Sequence, residues 1–304
     1  MNFQRARNLI ATALILILTP FVVEAKSLSS APYPTIAAVT KASETIGSGS
    51  WHAINAKQKD FLENEYTKWH ELKNFSPQEL QTIASAQTEV INDFLKGQGF
   101  DIQIEELNDE EFGVASVMNI EVEWLHEGRK TDLVVNNTSY PAVEMNDGVS
   151  FFKVNNMPFP VARFATKQGK DIVCITMMGE IPKNIEEVEA VLNLYYTNEE
   201  KEVEFQKIVF PMVDLDQKED LSWLINMGYG KYFITQALKQ NQLKIDEKGA
   251  QASSATAIAM GKSFSGPRSY IIDRPFVVWF ERAGNSFVSF VAYVDYDSWK
   301  TPKR

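Results

Sequence analysis

Short strand-like segments fill most of the chain from residue 114 onward, and they constrain its fold more than any other feature. Each is rich in β-branched and aromatic residues, alternates in part between apolar and polar positions, and is bounded by Gly, Asn or Asp. Helical patterns precede and interrupt them, which predicts an α+β fold with mixed sheets in one domain, residues 26–304. The predicted strands are residues 114–124, 142–145, 149–154, 160–165, 172–178, 203–213, 242–245, 275–281 and 286–293.

Two helical patterns lie before these strands. Residues 57–70 place apolar side chains at helical spacing. A helix-start signature follows, with Ser76 as N-cap, a proline in the first helical position and Glu79 at the capping-box position. It predicts a second helix that ends at Gly97 or Gly99.

Two further helices are predicted within the strand-rich part, at residues 184–195 and 218–227, the latter ended by Gly228. Residues 26–50 are rich in Ser, Thr, Ala, Pro and Gly and show no amphipathic face. They predict a loose N-terminal segment without regular structure.

The first 25 residues have the features of an export signal. Arg5 and Arg7 give a positive start, an apolar run follows at residues 9–23, and the small residue Ala25 offers a cleavage site. The run is shorter than the roughly 20 residues that a spanning helix needs. We therefore expect cleavage after Ala25 and a secreted or periplasmic protein with no stable membrane span; the alternative is an uncleaved anchor.

Charge and chemistry-bearing residues exclude several classes of protein. The net charge of -10 and the lack of a basic stripe argue against nucleic acid as a partner. Cys174 is the only cysteine, so no intrachain disulfide forms, and its apolar surroundings predict a buried, inert thiol. His52, His70 and His126 are scattered without ligand spacing. We therefore expect no enzyme, no metal site and no cofactor.

A strip of small side chains at residues 249–258 separates two strand-rich stretches. Its alanines would suit a helix, although Ser and Thr weaken that interpretation. Its composition would suit a flexible linker, but it does not separate two domains. A third interpretation is a spare β-strand, because small side chains let a segment slide between two existing strands and Gly249 supplies a hinge. The sequence favours this third interpretation.

Glu247, Lys248 and Gly249, followed by the small residues, resemble the proximal hinge of the serpins, the serine protease inhibitor family. Residues 273–278 resemble the segment that follows the reactive loop of that family, and the length between the two is also serpin-like. The resemblance implies a serpin-like fold with an exposed reactive-centre loop at about residues 247–272. The hinge residues that it implies are Glu247, Gly249, Ala250, Ala252, Ser253, Ser254 and Ala255.

The resemblance implies an inhibitor of serine or cysteine proteases, in which a cleaved bait loop inserts into the main sheet as a new strand. Counting forward from the hinge puts the bait bond at Ser263–Phe264, and counting back from residue 275 puts it at Phe264–Ser265. Phe264 as specificity residue implies chymotrypsin-like targets, whereas Lys262 would suit trypsin-like ones.

Four departures from the family pattern leave a second function open. Ala250 stands where most members carry Thr or Ser, and Lys239 stands where many carry a histidine in the region that controls sheet opening. The first helices of the family, one of which lies behind the main sheet, are not evident in residues 26–49. Most of the usual segment between Gly228 and the hinge strand is also missing. The alternative is therefore a serpin-fold protein that does not inhibit and acts as a binding or interaction module.

Overall fold

The strand-like segments of the sequence pair in five sheets among the residues that the structure describes. The computed structural model describes residues 26–108, 110–250, 269–282 and 287–302. The strands are β1 (Leu28–Ser30), β2 (Trp51–His52), β3 (Leu80–Ser85), β4 (Gly113–Met118), β5 (Val122–Glu123), β6 (Arg129–Val135), β7 (Thr138–Met145), β8 (Val149–Val154), β9 (Val161–Phe164), β10 (Asp171–Met177), β11 (Glu200–Glu202), β12 (Lys207–Pro211), β13 (Val213–Asp220), β14 (Gly228–Tyr229), β15 (Tyr232–Phe233), β16 (Leu238–Ile245), β17 (Gly249–Ala250), β18 (Ser269–Ile271), β19 (Phe276–Arg282) and β20 (Val288–Val294). The α-helices are α1 (Pro32–Ile46), α2 (Ala56–Asp60), α3 (Thr88–Gly97) and α4 (Ile185–Thr197). The fold is α+β, as the sequence predicts.

A seven-stranded sheet in the order β1-β20-β19-β10-β9-β8-β11 forms the base of the molecule. Its central strands are buried on both faces, which explains their nearly continuous apolar sequences. Helix α4 covers one face, where Val188 and Leu192 pack with Trp279. Cys174 is buried on this face, and burial raises the pKa of its thiol to about 12, so the thiol is inert at neutral pH.

A second sheet has the order β18-β12-β7-β6. Asn136 and Asn137 form the two-residue turn between β6 and β7, and both have positive φ angles, 49° and 63°. Asparagine tolerates this left-handed conformation, which matches the twist of a hairpin. The sequence pattern did not predict β6, because its first four residues, Arg129 to Asp132, are polar.

The main sheet is divided into two halves. One half is the pair β3–β4, and the other has the order β13-β16-β17-β5. Strands β4 and β5 follow one another along the predicted strand 114–124 and link the halves at one end. Helix α3 covers one face of β3–β4, where Ile91 packs against Ala115 and Val117. Helix α1 packs on the opposite face against β3 and β4.

Helix α1 corrects the expectation of a loose segment at residues 26–50. Pro32 and Pro34 occupy the start of the helix, where proline is tolerated, and Tyr33, Ile36 and Val39 form a short buried stripe. The prolines and the many small residues around this stripe masked its periodicity. The expectation that no helix lies behind the main sheet was therefore also wrong, because α1 covers that face.

The predicted helix that starts at Ser76 was wrong over its first half. The capping-box hydrogen bonds do form: Ser76 N donates to Glu79 Oε2 (2.7 Å), and Glu79 N donates to Ser76 Oγ (3.4 Å). They close a single turn, after which residues 80–85 pair with β4 as strand β3. Helix α3 begins only at Thr88 and ends at Gly97. Pairing with a distant strand outweighs the local helix signal here.

Of the three other helix predictions, two were confirmed and one was wrong. Residues 184–195 form α4, capped by Asn184, whose Oδ1 accepts from Glu187 N (3.1 Å). Residues 57–70 are helical, because α2 continues as a π-helical and then a 3-10 segment to Asn74. The helix predicted at residues 218–227 was wrong: β13 extends to Asp220, and a 3-10 turn follows at Ser222–Leu224.

Candidate functional site

The predicted hinge is only partly within the described residues. Glu247, Gly249 and Ala250 are described, and they lie where β16 turns into β17. The remaining predicted site residues lie outside the described part of the chain: Ala252, Ser253, Ser254, Ala255, Lys262, Ser263 and Phe264. For these residues the sequence-based assignments stay predictions.

A tight turn reverses the chain at the end of β16. Asp246 organises it, since its Oδ1 accepts from Lys248 N (2.9 Å) and Gly249 N (3.3 Å). Asp246 N in turn donates to Gly249 O (2.9 Å). Aspartate commonly stabilises turns through such side-chain to backbone bonds.

Neighbouring elements hold this turn from the other side. The Trp124 indole Nε1 donates to Asp246 O (2.9 Å), and Trp124 N donates to Lys248 O (2.9 Å). Gly128 N donates to Glu247 O (2.7 Å). The Glu247 carboxylate, whose side chain is only 6% exposed, pairs with Lys130 Nζ at 3.2 Å. The hinge is therefore anchored by backbone hydrogen bonds, by the hydrogen bond from the Trp124 indole and by one partly buried ion pair.

Gly249 is required by close approach. A β-carbon at this position would overlap the carbonyl oxygen of Val122 and lie 2.9 Å from the α-carbon of Glu123. Backbone this close to a neighbouring strand admits no side chain.

Ala250 lies within the main sheet as a strand residue. It is opposite Ile245 of β16 on one side and Val122 of β5 on the other, antiparallel to both. Its side chain is 1% exposed and belongs to the main hydrophobic core. Ala250, the second residue of the small-residue strip, thus already occupies the position of a strand between two others.

Below Ala250 the two halves of the sheet separate. Within the described residues β4 pairs only with β3, and β16 pairs with β13 and β17. A cavity of about 780 Å³ is lined by residues 113–119 on one side and 238–242 on the other. We call this space between β4 and β16 the slot.

Helices and a connecting segment close the two faces of the slot. Ala38 and Val39 of α1 line it from behind, and Ile91 and Leu95 of α3 line it from the front. Residues 99–108, which follow α3, line the front as well. The walls combine apolar side chains such as Val39 and Ile91 with polar ones such as Asn241, so a segment that enters the slot would find both apolar contacts and hydrogen-bond partners.

A polar network borders the slot on the inner face of β16. Lys239 Nζ lies 2.7 Å from Glu219 Oε2, and the Lys239 side chain is 9% exposed. Asn241 Nδ2 donates to Glu219 Oε2 (3.0 Å) and to Ser29 Oγ (3.1 Å). Lys239, which departs from the usual histidine of the family, is therefore neutralised by a partner on β13.

Sequence reasoning missed four residues that hold the hinge, namely Trp124, Gly128, Lys130 and Asp246. Asp246 directly precedes the Glu-Lys-Gly motif, and this position was the available signal for a turn. The other three lie more than 100 positions away in the chain, and no local pattern joins them to the hinge.

Across residues 26–108, 110–250, 269–282 and 287–302, no group of three or more His, Cys, Asp or Glu side chains is arranged to hold a metal ion. No helix in these ranges is long and apolar enough to cross a membrane.

Comparison with known proteins was informative only at the level of structure. No protein-family model matches the sequence, and no curated protein matches it either. The structure is similar to Serpin48 of the insect Tenebrio molitor (TM-score 0.58, 12% identity, 88% of this chain and 91% of that chain covered).

It is also similar to human thyroxine-binding globulin in complex with its hormone (0.55, 13%, 90% and 92%) and to human glycosylated kallistatin (0.56, 14%, 93% and 93%). These similarities span about nine tenths of the chain at low sequence identity. The chain therefore has the serpin fold.

Proposed function

We propose that this protein is an exported, non-catalytic inhibitor of proteases that traps its target by inserting a cleaved bait loop into the slot. The protease nucleophile attacks the carbonyl carbon of the bait residue, releases the amino group of the next residue and stays bound as an acyl-enzyme. The freed segment enters the slot as a strand and carries the acylated protease with it.

The observation that carries this proposal is the position of Ala250. It pairs antiparallel with both β16 and β5, and the slot continues in line with it. Among the described residues no strand pairs with β4 or β16 along the slot, so a strand added there would form backbone hydrogen bonds on both sides, which is the usual source of affinity in strand addition.

The register of β17 specifies how the strand would fit. Continuing the pairing Ile245↔Ala250 places Ser254 opposite Asn241, with its side chain toward α1. On the other side the pairing Val122↔Ala250 places Ser254 opposite Met118. Two of the three intervening residues, Ala252 and Ser253, are small, so they could fill this space without overpacking.

The target class depends on residues outside the described part of the chain. If the bait bond follows Phe264, the target is chymotrypsin-like; if it follows Lys262, the target is trypsin-like; Ser263 would favour proteases that accept small residues. The amino-terminal 25 residues support export before any encounter with a protease.

Incubation with chymotrypsin, elastase and trypsin tests the proposal. An inhibitor of this kind forms a complex with one of them that survives boiling in detergent, because an ester bond joins the two proteins. Mass spectrometry of that complex identifies the bait residue. Simple cleavage near Phe264 without a stable complex for all three classes, and for a papain-like protease, would contradict the proposal.

A second candidate function is a non-inhibitory binding protein. The slot has a volume of about 780 Å³ and walls that are partly apolar and partly polar, and this volume falls in the range of small-molecule sites. One similar structure is a globulin in complex with its hormone ligand. Under this alternative the cleaved loop stays outside the sheet, so cleavage would leave the melting temperature unchanged.

A further inference from the structure

One segment lies along the front of the slot and must be considered in any insertion. Residues 99–108, here called the strap, leave the end of α3 and run beside β16 before the chain returns to β4 at Gly113. Phe100, Ile102 and Ile104 of the strap line the slot.

Three glutamines, two on β16 and one two residues before it, bind the backbone of the strap. Gln240 Oε1 accepts from Asp101 N (3.0 Å) and Ile102 N (3.3 Å). Gln242 Nε2 donates to Gly99 O (3.3 Å). Gln236 Oε1 accepts from Glu105 N (2.6 Å), and its Nε2 donates to Glu105 O (3.3 Å). All three are amide side chains, so these bonds are independent of pH.

Asp216 of β13 orients two of these glutamines. Its Oδ1 accepts from Gln240 Nε2 (2.6 Å), and its Oδ2 accepts from Gln242 Nε2 (3.2 Å). Holding the Gln240 amide nitrogen in this way turns its carbonyl oxygen toward the strap. One ion pair, Lys218–Asp101 at 3.2 Å, adds little because both side chains are more than 60% exposed.

The opposite side of the strap is bound to α3. Asn92 Nδ2 donates to Ile104 O (3.2 Å), and Ile104 N donates to Asn92 Oδ1 (2.9 Å). Leu107 N donates to Thr88 Oγ1 (2.9 Å). Both covalent ends of the strap also belong to this side, since α3 and β4 pack together. The strap is thus hinged on the β4 side and fastened to β16 only through side chains.

We propose that Gln236, Gln240 and Gln242 form a latch whose release from the strap limits the rate at which a strand enters the slot. This inference rests on the proposed function. In the continued register Ser253 would lie opposite Gln242, and Ala255 opposite Gln240, directly beneath the strap. A segment joined to a protease cannot thread under a strap that is fixed on both sides, so the β16 side must open first.

Annealing of a synthetic peptide with the sequence of residues 251–262 to the uncleaved protein measures this step. The triple variant Gln236→Ala, Gln240→Ala, Gln242→Ala should accept the peptide about tenfold faster or more, since several hydrogen bonds that oppose opening are lost. The matched control is Gln103→Ala, an exposed glutamine within the strap itself, which should anneal at the rate of the parent protein.

Equal rates in the triple variant and the parent would overturn the latch and leave the proposed function standing. A peptide that anneals to neither protein would overturn both. Hydrogen exchange of the parent protein gives an independent check that does not depend on how well the variant folds. The amides of Asp101, Ile102 and Glu105 should lose protection when the peptide anneals, and retained protection would overturn the latch.

Discussion

At the scale of single residues, the hinge depends on Gly249 and on the side chains that hold the turn before it. Backbone bonds from Trp124 and Gly128 fix the path of the chain, and Asp246 closes the turn. The absence of a β-carbon at Gly249 then lets Ala250 reach its place between two strands. The requirement at Gly249 is steric, and the hydrogen bonds that hold the turn depend on direction. A single substitution should therefore disturb one of these features without the others.

Substitution Gly249→Ala should displace the hinge from the sheet. The added methyl group would overlap Val122 O, and the backbone on either side is held in place, so the free energy of unfolding should fall by about 1–3 kcal/mol. Urea denaturation measures this loss. The control is Gly97→Ala, at the end of α3, where a β-carbon meets nothing within 4 Å. That control should be neutral or stabilising, and an equal loss in both variants would contradict the steric explanation.

At the scale of elements, helix α1 closes the slot from behind. Its buried stripe of Tyr33, Ile36 and Val39 shares a core with residues of the 3-10 turn at Ser222–Leu224. The helix therefore couples the amino-terminal part of the chain to the segment that leads into β16. Without α1, the apolar face of the divided sheet that it covers would be exposed.

Substitution Ile36→Ala should destabilise the protein by about 2–5 kcal/mol, because the side chain is fully buried and its removal leaves a cavity. The matched control is Glu44→Ala on the exposed side of the same helix, which should change the stability by less than about 0.5 kcal/mol. Both values come from urea denaturation followed by circular dichroism. A small loss for Ile36→Ala would mean that α1 does not support the sheet.

The turn before β3 connects two sheets through charge. Arg282 at the end of β19 lies 3.1 Å from Glu79 Oε1 and 2.9 Å from Asp171 Oδ1, and Lys170 Nζ lies 2.7 Å from Glu79 Oε2. Burial alone would raise the pKa of Glu79, but hydrogen bonds from Lys170 and Ser76 and the charge of Arg282 lower it to about 2.

Because the folded pKa of Glu79 lies below its unfolded value near 4.5, its carboxylate stabilises the protein above that pH. This stabilisation is lost as the pH falls from about 4.5 to about 2. Burial raises the pKa of Asp171, so the effect of this residue on stability changes with pH in the opposite direction to that of Glu79. The prediction therefore compares the Glu79→Gln variant with the parent protein, since Asp171 is present in both. Between pH 7 and pH 3, Glu79→Gln should lose less stability than the parent, whereas a variant of the exposed Glu89 should follow the parent. Urea denaturation of the parent and the two variants at both pH values measures these losses of stability.

At the scale of the whole molecule, the described strands leave room for one further strand between β4 and β16. Since β17 runs antiparallel to both β5 and β16, those two strands are parallel to each other with one strand space between them. A strand that fills the space would be antiparallel to both neighbours and would join the two halves into one sheet. Each added hydrogen bond contributes about 1 kcal/mol net.

Limited proteolysis within residues 251–268 should therefore raise the melting temperature by at least about 10 °C, provided that the cleaved segment enters the slot. Substitution Ser254→Arg should abolish the rise, because the guanidinium group would have to be buried against α1. Ser254→Ala should retain it. Calorimetry before and after cleavage measures the effect, and an unchanged melting temperature in the parent protein would favour the binding-protein alternative.

The sequence by itself determined the central strands and the fold class. Apolar, β-branched segments such as those of β10, β19 and β20 predict strands wherever they are placed, because both of their faces must be buried. The Glu-Lys-Gly motif before a strip of small residues was enough to locate the turn and to suggest the serpin fold. Local sequence carries both signals, since each depends on residue type at a few adjacent positions.

Only the tertiary structure determined which segments differ from the secondary structure that their local sequence predicts. Residues 80–85 follow a helix-start signal and yet form β3, because β4 supplies backbone partners 28 to 38 positions away. The amino-terminal segment with its prolines forms α1, because the back of the sheet offers an apolar surface to three of its side chains. The slot and its glutamine latch likewise depend on the tertiary structure, because both are formed by segments that are far apart in the chain.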